Sequence, residues 1–431
     1  MAEIKAFKGF VYNPQKVDYQ DITCPPYDVI SPKLQEELYD KHPNNAVRLE
    51  LPKEENKYAV AAERWTDWKS EKILVQDERP AIYVCDQNFT TKDGNTVTRR
   101  GFLARLRVVP FSDKVVLPHE KTLTKAKSDR LNLFKETAAN FSPIFLLYRD
   151  SKNTVEDLIE EVRDEVPFID VVDYQGATNH VWRLMNVAVI EKLEEFFANQ
   201  QVYIADGHHR YETALEYAKI RAELNPNHTG NESYNFVMAY FTSMSAPDLV
   251  VYPTHRLVHS LSDEILSSID SKLKSCFETI VFTEETELKK WLSETKTNRF
   301  GLVRKSGDQL SFTGILFNSD FNLFPDQSQP KPLLALDVSI LHQIVIKQFL
   351  NISQEAQDQQ TNLYYSKDWN ETVGEVKSGK AQLAFLMNPT PVESIREVSN
   401  LGFVMPQKST FFYPKVITGI VFSDLNTNDT K

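Results

Sequence analysis

A strand that runs straight into a helix through an Asp-Gly turn constrains this chain more than any other feature. Val202-Tyr203-Ile204 read as the end of a short buried strand, and Ala205-Asp206-Gly207-His208-His209-Arg210-Tyr211-Glu212 follows. Tyr211, Ala214, Leu215, Ala218 and Ala222 then fall on one face at helical spacing. A helix start leaves about four backbone N–H groups without intrahelical partners, and the positive end of the helix dipole points the same way. Gly207 lets a ligand approach the backbone, and His208, His209 and Arg210 add donors around it. The turn is therefore a candidate anion or phosphate site. A plain structural reading uses the same residues, with Asp206 as helix cap, Gly207 as turn residue and both histidines solvated.

Length sets the scale around this unit. At 431 residues the chain exceeds the usual single-domain range, so two domains are expected. Lys and Arg number 49 against 60 Asp and Glu, a formal charge of -11. That acidity argues against a broad, sequence-independent nucleic-acid surface while leaving room for a local basic pocket. Cys24, Cys85 and Cys276 lie far apart with no CxxC pair, which disfavours a disulfide framework or structural zinc. The start, Met1-Ala2-Glu3-Ile4-Lys5, has no apolar stretch of signal type, and no apolar run nears the ~18 residues that span a bilayer. The expectation is a soluble, cytoplasmic protein.

In chain order, Cys24-Pro25-Pro26-Tyr27-Asp28-Val29-Ile30-Ser31-Pro32 is a rigid loop, and Ser31 with Pro32 predicts a capped helix over 32–41. Val47, Leu49 and Leu51 alternate with Arg48 and Glu50, which predicts a half-buried strand. Residues 54–73 read as a helix. Strands at 81–85 and 101–106 flank the hairpin turn Lys92-Asp93-Gly94-Asn95. Val115-Val116-Leu117 delivers Pro118-His119-Glu120 to a loop, and the following segment is basic through Lys125, Lys127 and Arg130, with Ser128-Asp129 as a cap for a helix ending at 137. Strand 144–148 and helix 153–165 precede the central motif. The pattern changes character near 257, where helices 262–274 and 284–293 alternate with strands. Later come helices near 337–350 and 368–377 and a strand at 382–387, and Thr390-Pro391 predicts a cap and first position for a last helix. The loop Met405-Pro406-Gln407-Lys408-Ser409-Thr410-Phe411-Phe412-Tyr413-Pro414-Lys415 closes this region, and its lysines and hydroxyls suit phosphate or carboxylate. An aromatic edge loop with solvated lysines is the plainer reading.

Three features carry chemistry: Pro118-His119-Glu120, the 206–210 turn and the basic 125–130 segment. A carboxylate at a strand end suits a general base toward a hydroxyl. A helix N-terminus with Arg and His suits a phosphoryl group, whose transfer needs mainly positioning and charge stabilisation. Phosphoryl transfer from a nucleotide to a small hydroxyl acceptor is the expectation. There is no G-x-x-x-x-G-K-[ST], so a P-loop enzyme is excluded. His119, Glu120, Asp206, His208 and His209 form a ligand inventory for zinc or manganese, but no H-E-x-x-H occurs. Magnesium brought by the nucleotide is preferred to a protein-held metal.

These residues also carry a resemblance. Pro26-Tyr27-Asp28-Val29-Ile30, Pro118-His119-Glu120-Lys121-Thr122, Ala205 to Ala214 and Met405 to Lys415 resemble a prokaryotic domain-of-unknown-function family, number 1015, often labelled SpoOJ/ParA/ParB/repB-like. More distantly, Gly207-His208-His209-Arg210 is similar to the nucleotide-binding turn of the ParB/sulfiredoxin superfamily. His208 stands where sulfiredoxins carry their cysteine, so sulfinic-acid reduction by that route is ruled out. The archaeal free-serine kinases are similar in pairing a Pro-His-Glu loop, whose Glu is a base, with a D-G-H-H-R-like turn.

The resemblance implies an α/β (α+β mixed) fold. Residues 1–256 would form a ParB/sulfiredoxin-like nucleotide-binding domain with an insertion near 125–195, and 257–431 a smaller α/β domain. It implies a nucleotide-dependent kinase acting on a small hydroxyl metabolite such as a hydroxy amino acid. Glu120, Asp206 and His209 would be catalytic, and Gly207, His208, His209, Arg210, Lys408, Ser409 and Thr410 would bind phosphate or nucleotide. ATP or ADP with Mg2+ is the implied cofactor. Nucleotide and a small molecule are the expected partners, without nucleic acid or membrane, and self-association is left open. The alternative is a non-catalytic, ParB-like nucleotide switch or a chromosome-partitioning-type protein.

Overall fold

The computed structural model of the protein describes residues 1–120, 124–295, 297–318 and 320–426, and for 124–127 the backbone alone. The chain is mixed α/β and divides into two compact units, neither continuous in sequence. The first comprises Met1–Pro118, Leu123–Leu249 and Pro414–Lys431, and the second His119–Thr122 and Val250–Tyr413.

The first unit is organised on a mixed sheet. Its strands run in the order Ile169–Val172, Thr178–Leu184, Ile82–Thr90, Phe102–Arg107, Phe236–Ser243, Ile144–Tyr148, Val202–Asp206 and Val116–Leu117. Most neighbours are antiparallel, but Phe236–Ser243 runs parallel to Ile144–Tyr148, and Val202–Asp206 parallel to Val116–Leu117. Alternation along the strands sends Ile144, Leu146, Tyr148, Ile204 and Phe241 into one apolar core. Helices Val187–Phe197 and His208–Leu224 cover it with Leu193, Phe197, Tyr211, Ala214 and Tyr217. The opposite set of side chains is unusually polar for a buried layer, with Gln87, Arg99 and Arg105 all buried. Arg105 donates to Ser423 Oγ at 2.9 Å, to the Asp424 carbonyl at 2.8 Å and to Ser233 Oγ at 2.9 Å.

The second unit holds a six-stranded antiparallel sheet, in the order Glu278–Phe282, Gln309–Leu316, Arg299–Ser306, Leu383–Leu386, His255–Val258 and Leu363–Ser366. Both faces are apolar. Val258, Leu302 and Phe385 pack with helix Asp263–Cys276 and the wide-turned helix Leu341–Phe349, while Leu257, Val303 and Leu386 pack with helices Glu285–Glu294 and Trp369–Lys377. A separate pair joins Val250–Tyr252 to Phe411–Tyr413.

Of the caps expected from the sequence, the one at Ser31 is present. Ser31 accepts from Leu34 N and helix Pro32–Lys41 follows. The strand expected across Val47, Leu49 and Leu51 is instead a helical turn, Val47–Glu50. Its polar residues are not solvent-facing: Glu50 is buried and accepts from Ser142 Oγ at 2.9 Å. Asn45 sets the turn by accepting from Val47 N while its amide donates to the carbonyls of Asp21 and Thr23. Ser128-Asp129 start no helix, because the helix already runs Thr124–Thr137. The side chains of Lys125 and Lys127 lie outside the described residues, as do Lys121 and Thr122. Thr390 does not cap the last helix, which begins at Val392 after Pro391; its hydroxyl donates to the Ser409 carbonyl.

Candidate functional site

The 206–210 turn sits in the first unit and has the expected strand-to-helix form. Strand Val202–Asp206 ends, and the 17-residue helix His208–Leu224 starts one residue later. The helix cap is Gly207 rather than Asp206, and no side chain caps this end. Gly207 has φ +89°, and a Cβ there would lie 3.0 Å from the Arg210 guanidinium. Glycine is thus required twice, by backbone conformation and by the guanidinium folded against it.

Asp206 is released from capping to pair with two cations. Its Oδ2 meets Arg210 Nη2 at 2.6 Å and its Oδ1 meets Lys415 Nζ at 2.5 Å. Arg210 also donates to the Pro143 carbonyl, which ties the turn to the neighbouring strand. Burial opposes the Arg210 charge, but Asp206 first, then Asp28, Tyr27 and Glu50, outweigh it and raise its pKa. Arg210 is therefore engaged with protein partners at both terminal nitrogens, where direct contact with phosphate was expected. His208 is buried and His209 half-buried at the same end of the helix.

Neighbouring residues extend this site. Burial and then Asp28 push the Tyr27 hydroxyl up to about 12, against Arg210 and Arg130. The Arg130 guanidinium lies 4.2 Å from the centre of the Tyr27 ring and donates to the Glu50 carbonyl at 2.7 Å. Lys415 is held at its backbone by Gln175 and Gln87. Lys415, Tyr27 and Asp28 were legible only as members of longer motifs, since no local pattern singles them out.

Glu120 and the 405–410 loop lie in the second unit. Met405 N donates to the His119 carbonyl at 2.7 Å, laying His119-Glu120 alongside the loop. Glu120 Oε1 accepts from Thr410 N at 3.1 Å and from Thr410 Oγ1 at 3.3 Å, and buried His119 meets that hydroxyl through Nε2 at 2.8 Å. Ser409 is buried and donates to the Pro406 carbonyl, while Lys408 is exposed with φ +54°. The hydroxyls expected to hold phosphate are thus bonded within the protein, and that of Thr410 orients Glu120. Among the described residues no three His, Cys, Asp or Glu side chains are grouped so as to hold a metal ion. Nor is any described helix long and apolar enough to cross a membrane.

A mixed α/β protein with this arrangement belongs to the family described as protein of unknown function, DUF1015, whose model matches residues 4–339. No curated protein matches the chain. Among solved structures it is similar to a conserved hypothetical protein from Pyrococcus furiosus, at 12% identity over 77% of this chain and 97% of that one, with a TM-score of 0.37. It is also similar to a free serine kinase in complex with AMP, at 13% identity over 77% and 93% of the chains, with a TM-score of 0.38. A third is SbnI with C-terminal truncation from Staphylococcus aureus, at 9% identity over 74% and 86%, with a TM-score of 0.34. Likeness at this level identifies neither activity nor ligand.

Proposed function

We propose that this protein is a nucleotide-dependent phosphotransferase acting on a small hydroxyl metabolite. The observation that carries the reading is the start of helix 208–224, where a left-handed glycine replaces a side-chain cap and two basic residues flank it on Asp206. An anion seated there meets backbone N–H groups, the positive end of a 17-residue helix and His209. In this reading Gly207, His208 and His209 cradle phosphate. Arg210 and Lys415 set the position of Asp206 and add positive charge.

The donor is ATP or ADP with Mg2+ carried in on its phosphates. Asp206 already has a cation on each oxygen, so its fit is to positioning rather than to metal binding. Glu120 takes the acceptor proton. The acceptor oxygen then bonds to the terminal phosphorus as the bond from that phosphorus to the bridging oxygen breaks, and the nucleotide leaves one phosphate shorter. Thr410 supports this role by bonding one oxygen of Glu120 and thereby fixing its direction.

The test separates binding from chemistry. Thermal unfolding with ATP, ADP, CTP and GTP, each with magnesium, should show stabilisation of about 2.7 kcal/mol at 100 times the dissociation constant for a true ligand. His209→Ala should reduce that shift. Glu120→Gln should keep the shift and lose about 10²–10⁴-fold in acceptor-dependent nucleotide consumption. No shift with any nucleotide ends the reading, and a shift without turnover for any hydroxyl acceptor leaves the non-catalytic switch.

A further inference from the structure

We infer that Arg99 is a positioning residue for the 206–210 turn, acting through Gln87 and Lys415. Its geometry lies wholly in the first unit, and its effect on turnover rests on the phosphotransferase reading. Asn179, Gln87 and Arg99 are cross-strand partners in one row of the sheet, and Tyr240, Phe145 and Asp206 form another. Arg99 joins the two rows, since its guanidinium lies 4.6 Å from the centre of the Phe145 ring and 5.4 Å from that of Tyr240. The side chain is fully buried, and burial lowers its pKa against Tyr240, Cys85 and Asp173. The oxygens of Asp173 are already taken, accepting from Gln175 N, Ala177 N and Asn179 Nδ2. Arg99 Nη2 donates to Gln87 Oε1, whereas Nε and Nη1 have no hydrogen-bond partner.

A buried guanidinium with two nitrogens unbonded is a weak contributor to stability, and an apolar side chain of similar volume serves the fold as well. What Arg99 supplies is direction. Arginine only donates, so it admits the oxygen of the Gln87 amide and turns the nitrogen the other way. Gln87 Nε2 then donates to Asn179 Oδ1 at 2.9 Å and to the Lys415 carbonyl at 3.4 Å. Gln175 Oε1 accepts from Lys415 N at 3.1 Å, so both backbone groups of Lys415 are held. From that fixed backbone its Nζ reaches Asp206 Oδ1, while Asp206 Oδ2 holds Arg210. A turned Gln87 amide would set its oxygen against the Lys415 carbonyl and push that residue away from Asp206.

Two variants of the full chain test it, Arg99→Met and Gln87→Glu. The second keeps an oxygen for Arg99 but has no N–H for the Lys415 carbonyl, so it separates positioning from mere filling of space. The first readout is acylation of each lysine by an N-hydroxysuccinimide ester, followed by mass spectrometry without nucleotide. Lys415 should react about tenfold faster or more in both variants, as local opening frees its amine. Lys69, paired with Asp424 in the same unit, should react as in the wild type and reports that the fold is intact. The second readout is acceptor-dependent nucleotide consumption, which should fall by about 10–10²-fold in both variants. Gln87→Glu decides the matter if Arg99→Met fails to fold. Unchanged Lys415 labelling in Gln87→Glu, or faster labelling with turnover intact, would overturn the inference. Faster labelling in variants of a protein that shows no turnover at all would end the phosphotransferase reading and leave the positioning of Lys415 standing.

Discussion

At the scale of single residues, Gly207 and Asp206 carry the most consequence. Any other residue at Gly207 adopts φ +89° at a cost of about 1–2 kcal/mol, before its Cβ displaces Arg210. Gly207→Ala should therefore lower stability by at least that amount in chemical denaturation and reduce any nucleotide-induced shift. Asp206→Asn should cost more, about 3–5 kcal/mol, because it leaves Arg210 and Lys415 as largely buried cations without their shared carboxylate. Asp337 provides a test by pH. Burial raises its pKa from the ordinary carboxylate value to about 7, against the backbone N–H groups of Asn298 and Arg299. A carboxyl with a raised folded-state value favours folding while protonated. Its contribution is complete below the unfolded value near 4 and is lost as pH rises through about 7. Asp337→Asn should flatten the decline in stability between those values, as read from melting temperature against pH.

At the scale of elements, the Ser31 cap and the 47–51 alternation show what was readable and what was not. Ser31 with Pro32 specified helix 32–41 because both act within one turn of chain. Alternation at 47–51 misled because it assumes that polar residues face water, and Glu50 is buried against Ser142. Asn45 decides that turn. Asn45→Ala should cost about 1 kcal/mol or more in chemical denaturation, since it removes the cap from Val47 N and two bonds to the carbonyls of Asp21 and Thr23. The 405–410 loop shows the same limit from the other side. Its hydroxyls looked suited to an anion, yet Thr410 bonds Glu120 and Ser409 bonds Pro406 within the fold.

At the scale of the whole molecule, both units are assembled from separated stretches of chain. The 414–426 stretch is built into the first unit through Lys415, the Cys24–Thr418 and Phe10–Phe422 backbone pairs, and Ser423 beneath Arg105. A fragment of residues 1–249 should consequently lack native stability, because Arg105 loses Ser423 and the Asp424 carbonyl and Asp206 loses Lys415. Adding a peptide of residues 414–431 should recover protection in hydrogen exchange along strands 102–107 and 202–206. Recovery without the peptide would show that the closing stretch is dispensable.

What the sequence determined by itself was whatever is specified over a few residues: the strand-to-helix turn at 206–210, the need for Gly207, the Ser31 cap and the mixed α/β pattern. Such features depend on backbone sterics and on hydrogen bonds closed within about one turn. The tertiary structure decided which groups share an environment. Asp206 meets Lys415 from 209 residues away, and Glu120 meets Thr410 from 290 residues away. Burial decided the rest, making Glu50 an interior acceptor for the Ser142 hydroxyl. Charge and hydrogen bonding act over a few ångströms of space whatever the distance along the chain, so no local pattern could encode those pairings.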